Sequence, residues 1–140
     1  MNKIHQLIHK CDNQDLGKLL VRLAIGIVFI NAGWLKIQNI EFVVAFFSTL
    51  GFPAFCAYLV AYLEFIGGIA FVLGIFARYF GIALAITMLV AMFKVHWVNG
   101  YSIANNGYEY VFLLFLGSVA IVTLGSGRFS LARFFRKNSQ

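Results

Sequence analysis

Long runs of apolar residues, separated by short polar connections, are the main pattern along this chain. The four runs are Leu16–Ile37, Pro53–Phe76, Tyr79–Val98 and Tyr108–Leu124. Each holds about 17–24 residues, the helix length that crosses a hydrocarbon layer of roughly 30 Å. None alternates apolar and polar residues with a period of two, and lipid excludes open sheet edges. The pattern therefore predicts an all-α fold, an antiparallel bundle of four transmembrane helices.

The connection between the first two runs has a helical pattern of its own. From Glu41 to Leu50, apolar residues recur at helical spacing while polar residues take the other face. Gly51 then ends the segment, and Pro53 starts the next run. We expect a short amphipathic interfacial helix between the first and second spans. It is either an ordinary connector or a lid over a cavity that opens to the outer side.

Composition supports the membrane class. Of 140 residues, 61% are hydrophobic and 11% are charged, whereas a soluble domain is about half apolar and a quarter charged. A soluble body of this size cannot bury so much apolar surface. We therefore expect one membrane domain over residues 16–131, preceded by a cytoplasmic arm (1–15) and followed by a basic cytoplasmic tail (132–140).

Lysine and arginine residues lie mostly on one side of the predicted bundle. That side holds Lys3, Lys10, Lys18, Arg78, Arg128, Arg133, Arg136 and Lys137. Because cytoplasmic loops carry the excess of positive charge, we expect both termini in the cytoplasm of a bacterial inner-membrane protein. The net charge of +6 fits contact with anionic membrane lipids. No soluble recognition module remains, so the charge does not indicate nucleic-acid binding.

Glu64 is the most informative residue, because its apolar run contains no other Asp, Glu, Lys, Arg or His. A charge at the bilayer centre costs about 2.5–3.5 kcal/mol on insertion scales unless a partner or water accommodates it. Depths counted at helical rise predict two pairings. Arg22 is expected to pair with Glu64, and Lys94 with Glu109 either directly or through a bridging water. Such pairs either stabilise the bundle or belong to a functional site.

The functional alternative is a polar pocket inside the bundle. Its candidate ligand-binding residues are Arg22, Asn31, Glu64, Lys94, His96 and Glu109. A carboxylate, an imidazole and an ammonium group together can bind the carbonyl oxygens of a quinone and transfer protons to it. We expect no metal site, because Cys11 and Cys56 form neither a metal-ligand spacing nor a C-x-x-C motif.

A series of short motifs then identifies a family. In chain order they are Leu20-Val21-Arg22-Leu23, Leu50-Gly51-Phe52-Pro53, Glu64-Phe65-Ile66-Gly67-Gly68, Leu73-Gly74-Ile75-Phe76, His96, Gly107-Tyr108-Glu109 and Gly125-Ser126-Gly127-Arg128-Phe129-Ser130. Over Leu16–Leu131 the chain resembles the DoxX family of small four-helix membrane proteins. The resemblance points to Arg22, Glu64, His96 and Glu109 as shared polar positions.

The resemblance implies a quinone-interacting or redox-associated membrane subunit, with quinone or quinol as its ligand. No redox centre is evident in the sequence, so such a subunit needs a redox protein partner that supplies electrons, and whether the chain is itself an enzyme stays open. Two alternatives remain: a non-catalytic assembly or chaperone-like binding protein, and a carrier of protons or small solutes. The oligomeric state is also open, since a Phe-rich outer face suits lipid as well as a second copy.

Overall fold

The computed structural model describes residues 3–4, 6 and 13–139. Over these residues the chain consists of helices, turns and short coil segments, without a strand. The prediction of an all-α fold is therefore confirmed for the described part of the chain. Most of the predicted N-terminal arm, including Cys11, lies outside the described residues.

Six α-helices lie within residues 13–139. They are α1 (Gln14–Gln38), α2 (Ile40–Thr49), α3 (Ala54–Leu73), α4 (Ala77–Ala91), α5 (Glu109–Leu124) and α6 (Leu131–Asn138). Beyond α4 the chain continues helically through a π-helical segment, Met92–His96, and a 3-10 turn, Trp97–Asn99. In the part of the chain that the structure describes, three segments are long and apolar enough to cross a membrane: Gln14–Gln38, Ala54–Leu73 and Ala77–Asn99. Helix α5 is apolar and has 16 residues.

Helices α1 and α3 lie close together because glycines occupy their interface. A Cβ atom added at Gly26 would lie 2.9 Å from the carbonyl oxygen of Gly68. One added at Gly33 would lie 2.7 Å from the Cα of Phe65 and 2.8 Å from the carbonyl oxygen of Ala61. Small residues allow such close backbone approach between membrane helices. These contacts fix the levels of the two helices, so that Gly33 lies opposite residues 61–65 of α3.

The connection between α3 and α4 is short because Gly74 ends α3 in the left-handed conformation, with φ of 73°. A Cβ atom at this position would lie 2.5 Å from the Cβ of Ser130 and 2.7 Å from Nη2 of Arg22. Glycine is therefore required here for two reasons, since L side chains rarely adopt this φ and the space is already filled.

The buried core lies between the four longer helices. Phe29 of α1 packs edge-to-face on Phe71 of α3, with ring centroids 6.1 Å apart. Leu84 of α4 and Leu114 of α5 belong to the same buried cluster. Aromatic pairs of this geometry add about 0.5–1.5 kcal/mol beyond the burial of their area. The core thus holds the helices around the polar site described below.

Candidate functional site

Glu64 is buried and forms an ion pair with Lys36. Its carboxylate side chain is 2% exposed, and its Oε2 accepts a hydrogen bond of 2.5 Å from Nζ of Lys36. Lys36 belongs to the last turn of α1 and is 31% exposed. The pair therefore joins α1 to α3 and places one member at the boundary of the buried interior.

The levels of the two helices explain this partner. Gly33 packs beside Phe65, so Glu64 lies near the level of Gly33. Lys36 is three positions further along α1, roughly 4.5 Å at helical rise. Side chains in a helix lean toward its N-terminus, so the lysine extends back toward the carboxylate.

The predicted pair between Arg22 and Glu64 is wrong for the same reason. Arg22 is eleven positions before Gly33, roughly 16 Å along the helix axis. Its side chain also leans toward the N-terminus of α1, which takes it away from Glu64. Counting depth from the ends of the apolar runs requires all helices to begin at one level in the membrane. The contacts between α1 and α3 show that these two helices do not.

Arg22 instead binds backbone carbonyl groups at the other end of the bundle. The side chain is 1% exposed, and Nε donates to the carbonyl oxygen of Phe71 over 2.8 Å. Nη2 donates to Val72 over 3.0 Å, and Nη1 donates to both Phe129 and Ser126. The first two carbonyls belong to the last turn of α3, where the helix dipole favours a cation. Arg22 therefore fastens the end of α3 to the segment that follows α5.

A cavity of about 660 Å³ lies beside the Lys36–Glu64 pair, between α1, α3, α4 and α5. Most of its lining is apolar. Its polar or thiol-bearing lining side chains are Lys36, Cys56, Glu64, Thr87, Lys94, His96 and Tyr110. Ligand sites are typically apolar cavities of about 300–1,000 Å³ with a few polar groups that orient the ligand, and this cavity has that character.

Helix α2 and the residues after it form one wall of the cavity. Phe46, Phe47, Leu50 and Phe52 all line it. The prediction of a helix in the first connection is confirmed, since α2 spans Ile40–Thr49. Its apolar face is turned toward the cavity, which gives the connection a role in enclosing that space.

The π-helical segment brings two of the predicted site residues to the cavity. Lys94 and His96 both lie in Met92–His96 and line the cavity. Nδ1 of His96 is 2.9 Å from the carbonyl oxygen of Asn106. Because a carbonyl oxygen only accepts, Nδ1 must carry the proton, and in the neutral ring Nε2 is left as an acceptor. π-Helical insertions are frequent at functional sites.

The other predicted residues lie away from the cavity lining. Oε2 of Glu109 accepts a hydrogen bond of 3.0 Å from the backbone N–H of Ile103. The predicted direct ion pair between Lys94 and Glu109 is wrong, since over residues 13–139 the ion pairs are Lys36–Glu64 and Asp15–Arg128. Asn31 is exposed. Asn31, Arg22 and Glu109 are all absent from the cavity lining.

Sequence reasoning missed Lys36, Thr87 and Tyr110 as lining residues. Lys36 is next to the last residue of the first run, where a lysine is ordinarily solvated at the membrane boundary. The signal that could have found it is the direction of helical side chains, which carries a terminal lysine back into the bundle. Thr87 and Tyr110 gave no such signal, because one hydroxyl in an apolar run is common.

Comparisons with known proteins identify the family of this chain. The family model DoxX matches residues 17–97. The chain is 32% identical to "Putative oxidoreductase CatD" of Bacillus subtilis (strain 168), over 90% of this chain and 92% of that protein. It is 29% identical to "Inner membrane protein YqjF" of Escherichia coli (strain K12), over 89% of this chain and 95% of that protein. No solved structure matches the chain. The chain is a membrane protein that belongs to the DoxX family.

Proposed function

We propose that the cavity beside the Lys36–Glu64 pair binds the head group of a quinone or quinol, and that the protein is the quinone-handling membrane component of a redox system. The observation that carries this proposal is an ion pair in the wall of an otherwise apolar cavity of about 660 Å³. A quinone has the complementary chemistry, since it is an apolar ring with two carbonyl oxygens.

The pair offers both a donor and an acceptor to such a ligand. The ammonium group of Lys36 has three N–H donors, and one of them is directed to Glu64. Oε1 of Glu64 receives no hydrogen bond from the residues described in the structure. A quinone oxygen accepts from Lys36, and a quinol hydroxyl donates to Glu64. The same pair therefore suits both redox states of the ligand.

Proton balance assigns a further role to Glu64. Reduction of a quinone to a quinol consumes two electrons and two protons. The ionised Glu64 carboxylate can take up one of these protons and pass it to the bound oxygen, and the ammonium group of Lys36 can supply the other. Charged groups inside membrane bundles commonly serve proton transfer. The electrons must come from a redox protein partner. The name of the Bacillus relative, an oxidoreductase, supports a redox setting for this chain.

The topology that suits this function has four crossings. We propose that α5 completes the bundle as the fourth span and that α2 lies at the outer surface as a lid over the cavity. Both termini are then cytoplasmic, because Arg78 and the basic residues after α5 lie on one side. The name of the Escherichia coli relative, an inner membrane protein, supports a location in the inner membrane.

Cys56 provides a direct test, because its thiol lines the cavity. The experiment uses the full chain with Cys11→Ser in nanodiscs and follows alkylation of Cys56 by N-ethylmaleimide. Ubiquinone-1 is the probe, since its fully substituted ring does not add thiols by simple conjugate addition. We expect saturating ubiquinone-1 to slow alkylation at least ~10-fold, as an occupied site excludes the reagent.

Two controls make the result specific. Geraniol, an isoprenoid alcohol without the quinone ring, should give little protection. Glu64→Gln should reduce the protection by ubiquinone-1, whereas Glu41→Gln, which changes an exposed carboxylate on α2, should not. Equal protection by geraniol, or no protection by ubiquinone-1, contradicts a quinone site. In that case the pair has only the structural role of joining α1 to α3.

A further inference from the structure

A second cavity, of about 410 Å³, lies among the start of α1, the beginning of α4 and the segment from the end of α5 into α6. Its lining includes Lys18, Arg78, Arg133 and Arg136, with Asp15 as its carboxylate. We propose that this cavity binds the phosphate head group of an anionic phospholipid. The proposal is independent of the quinone site, because the two cavities share no lining residue.

The charge of the cavity lining is strongly unbalanced. Four cationic side chains and one carboxylate leave an excess of three positive charges. The carboxylate is already engaged elsewhere, since Oδ1 of Asp15 accepts the backbone N–H of Arg128 at 3.0 Å and Oδ2 lies 4.0 Å from that guanidinium. Among residues 13–139, no carboxylate forms an ion pair with the four cations. The charge of the lining therefore favours an anionic ligand.

Two of the cationic side chains lie close together because glycines in the turn between α5 and α6 leave room for them. Gly125 and Gly127 both have positive φ, 72° and 73°, which favours glycine. A Cβ atom at Gly125 would lie 3.0 Å from Nη2 of Arg78, and one at Gly127 would lie 3.2 Å from Cδ of Lys18. Two cations from different helices therefore lie against the same turn.

Arg22 holds this turn in place from the buried side. It donates hydrogen bonds to the carbonyl oxygens of Ser126 and Phe129. Ser130 then caps α6, accepting from the backbone N–H of Arg133 at 3.4 Å. The two arginines of α6 that line the cavity thus follow directly from an anchored turn, and the cavity is built into the fold.

The apolar face of α6 indicates a lipid ligand. Leu131, Phe134 and Phe135 recur at helical spacing, and both phenylalanines are 59% exposed. A helix with exposed phenylalanines on one face and arginines on the other lies in the plane of the membrane surface. With the phenylalanines in the acyl boundary, Arg133 and Arg136 lie at the level of the head groups. Arginine is also suited to phosphate, because its planar guanidinium donates two parallel hydrogen bonds.

The test is lipid retention by the full chain, measured by native mass spectrometry. The protein in detergent is mixed with equal amounts of phosphatidylglycerol and phosphatidylcholine, which share a phosphate but differ in net charge. We expect phosphatidylglycerol to be retained preferentially. The double variant Arg133→Gln/Arg136→Gln should lower its retention at least ~10-fold, since each basic residue at an anionic surface contributes to lipid affinity.

A charge-matched variant separates a site from general attraction. Arg136→Gln and Lys137→Gln each remove one positive charge from α6, but only Arg136 lines the cavity. Arg136→Gln should lower the retention of phosphatidylglycerol, whereas Lys137→Gln should retain it as the parent does. Arg133, Arg136 and Lys137 are all exposed, so each variant should melt like the parent. Equal loss in Arg136→Gln and Lys137→Gln, or no preference for phosphatidylglycerol in the parent, overturns the proposal.

Inorganic phosphate distinguishes a lipid head group from a free anion. Phosphate is added to the lipid-bound parent, with chloride at the same ionic strength as its control. A lipid site predicts that phosphate and chloride leave the same amount of phosphatidylglycerol bound. Displacement by phosphate at a concentration where chloride has no effect would assign the cavity to a soluble phosphate group and contradict the lipid assignment.

Discussion

Arg22 and Glu64 are both charged, both almost fully buried and both in apolar helices, yet their surroundings differ. The guanidinium of Arg22 donates to four backbone carbonyl groups. The carboxylate of Glu64 has one partner, Lys36, and borders a cavity. Burial alone therefore does not show which of the two charges is available to a ligand. The hydrogen bonds do, because Arg22 uses four of its five N–H donors on carbonyl groups, whereas Oε1 of Glu64 receives none from the described residues.

The largest effect is expected at Arg22. Arg22→Leu removes hydrogen bonds to four carbonyl groups and leaves buried acceptors without donors. Each unsatisfied buried group costs about 1–3 kcal/mol, so we expect the free energy of unfolding to fall by at least ~3 kcal/mol. Thermal unfolding in detergent measures this loss. Arg22→Lys keeps the charge but has fewer donors, so its melting temperature should lie between those of the parent and Arg22→Leu. A melting temperature of Arg22→Leu equal to the parent's would contradict the structural role of Arg22.

Replacing Lys36 and replacing Glu64 should lower the free energy of unfolding by different amounts. Lys36→Met leaves a buried carboxylate without its cation, and breaking a buried pair in this way costs about 3–5 kcal/mol. Glu64→Gln should cost less, because the freed ammonium of Lys36 is partly exposed and reaches water. The double variant should therefore be more stable than Lys36→Met alone. Unfolding free energies of the four proteins give the coupling, which we expect at about 1–3 kcal/mol; additive losses would show that the pair is not formed.

The close contact of α1 and α3 gives the next prediction. Gly33→Ala places a Cβ against the backbone of Phe65 and Ala61, and such overpacking typically costs about 1–3 kcal/mol. Gly17→Ala is the matched control in the same helix, since nothing lies within 4 Å of its added Cβ. It should stabilise the protein by about 0.5–1 kcal/mol. Similar melting temperatures of the two variants would contradict the packing of α1 on α3.

The smallest effect is expected at the wall of the cavity. Phe47→Ala removes part of the apolar surface that encloses the proposed ligand, so we expect ubiquinone-1 to bind about threefold to tenfold more weakly. Phe42→Ala alters the same helix at an exposed position outside the lining and should leave affinity unchanged. Equal affinities for Phe47→Ala and the parent would exclude α2 from the binding site.

Much of the fold could be predicted because apolar periodicity and helix length are local properties of the sequence. The runs, helix α2 and the central place of Glu64 all follow from them. The partners of Glu64 and Arg22 depend on the relative levels of α1 and α3, which Gly26, Gly33 and Gly68 fix by contact. These relative levels depend on packing between segments that are distant in the sequence, so counting positions along single helices cannot predict them.

The π-helical segment could not be predicted for a related reason. Residues Met92–His96 read as an ordinary continuation of the third run, and no proline or glycine interrupts them. The change of helical pitch turns Lys94 and His96 toward the cavity while Glu109 bonds to its own loop. Glu64, Lys94 and His96 were thus accessible from the sequence, whereas Lys36, the partner of Glu64, was not.

The most direct test of the central claim is the affinity of ubiquinone-1 for the protein in nanodiscs, measured by calorimetric titration. We predict that Glu64→Gln weakens binding at least ~10-fold, equivalent to about 1.4 kcal/mol, because the ligand loses a charged partner in an apolar cavity. Arg78→Gln, which alters the second cavity alone, should bind as the parent does. Equal affinity of Glu64→Gln and the parent would contradict the claim that the buried pair forms the ligand site.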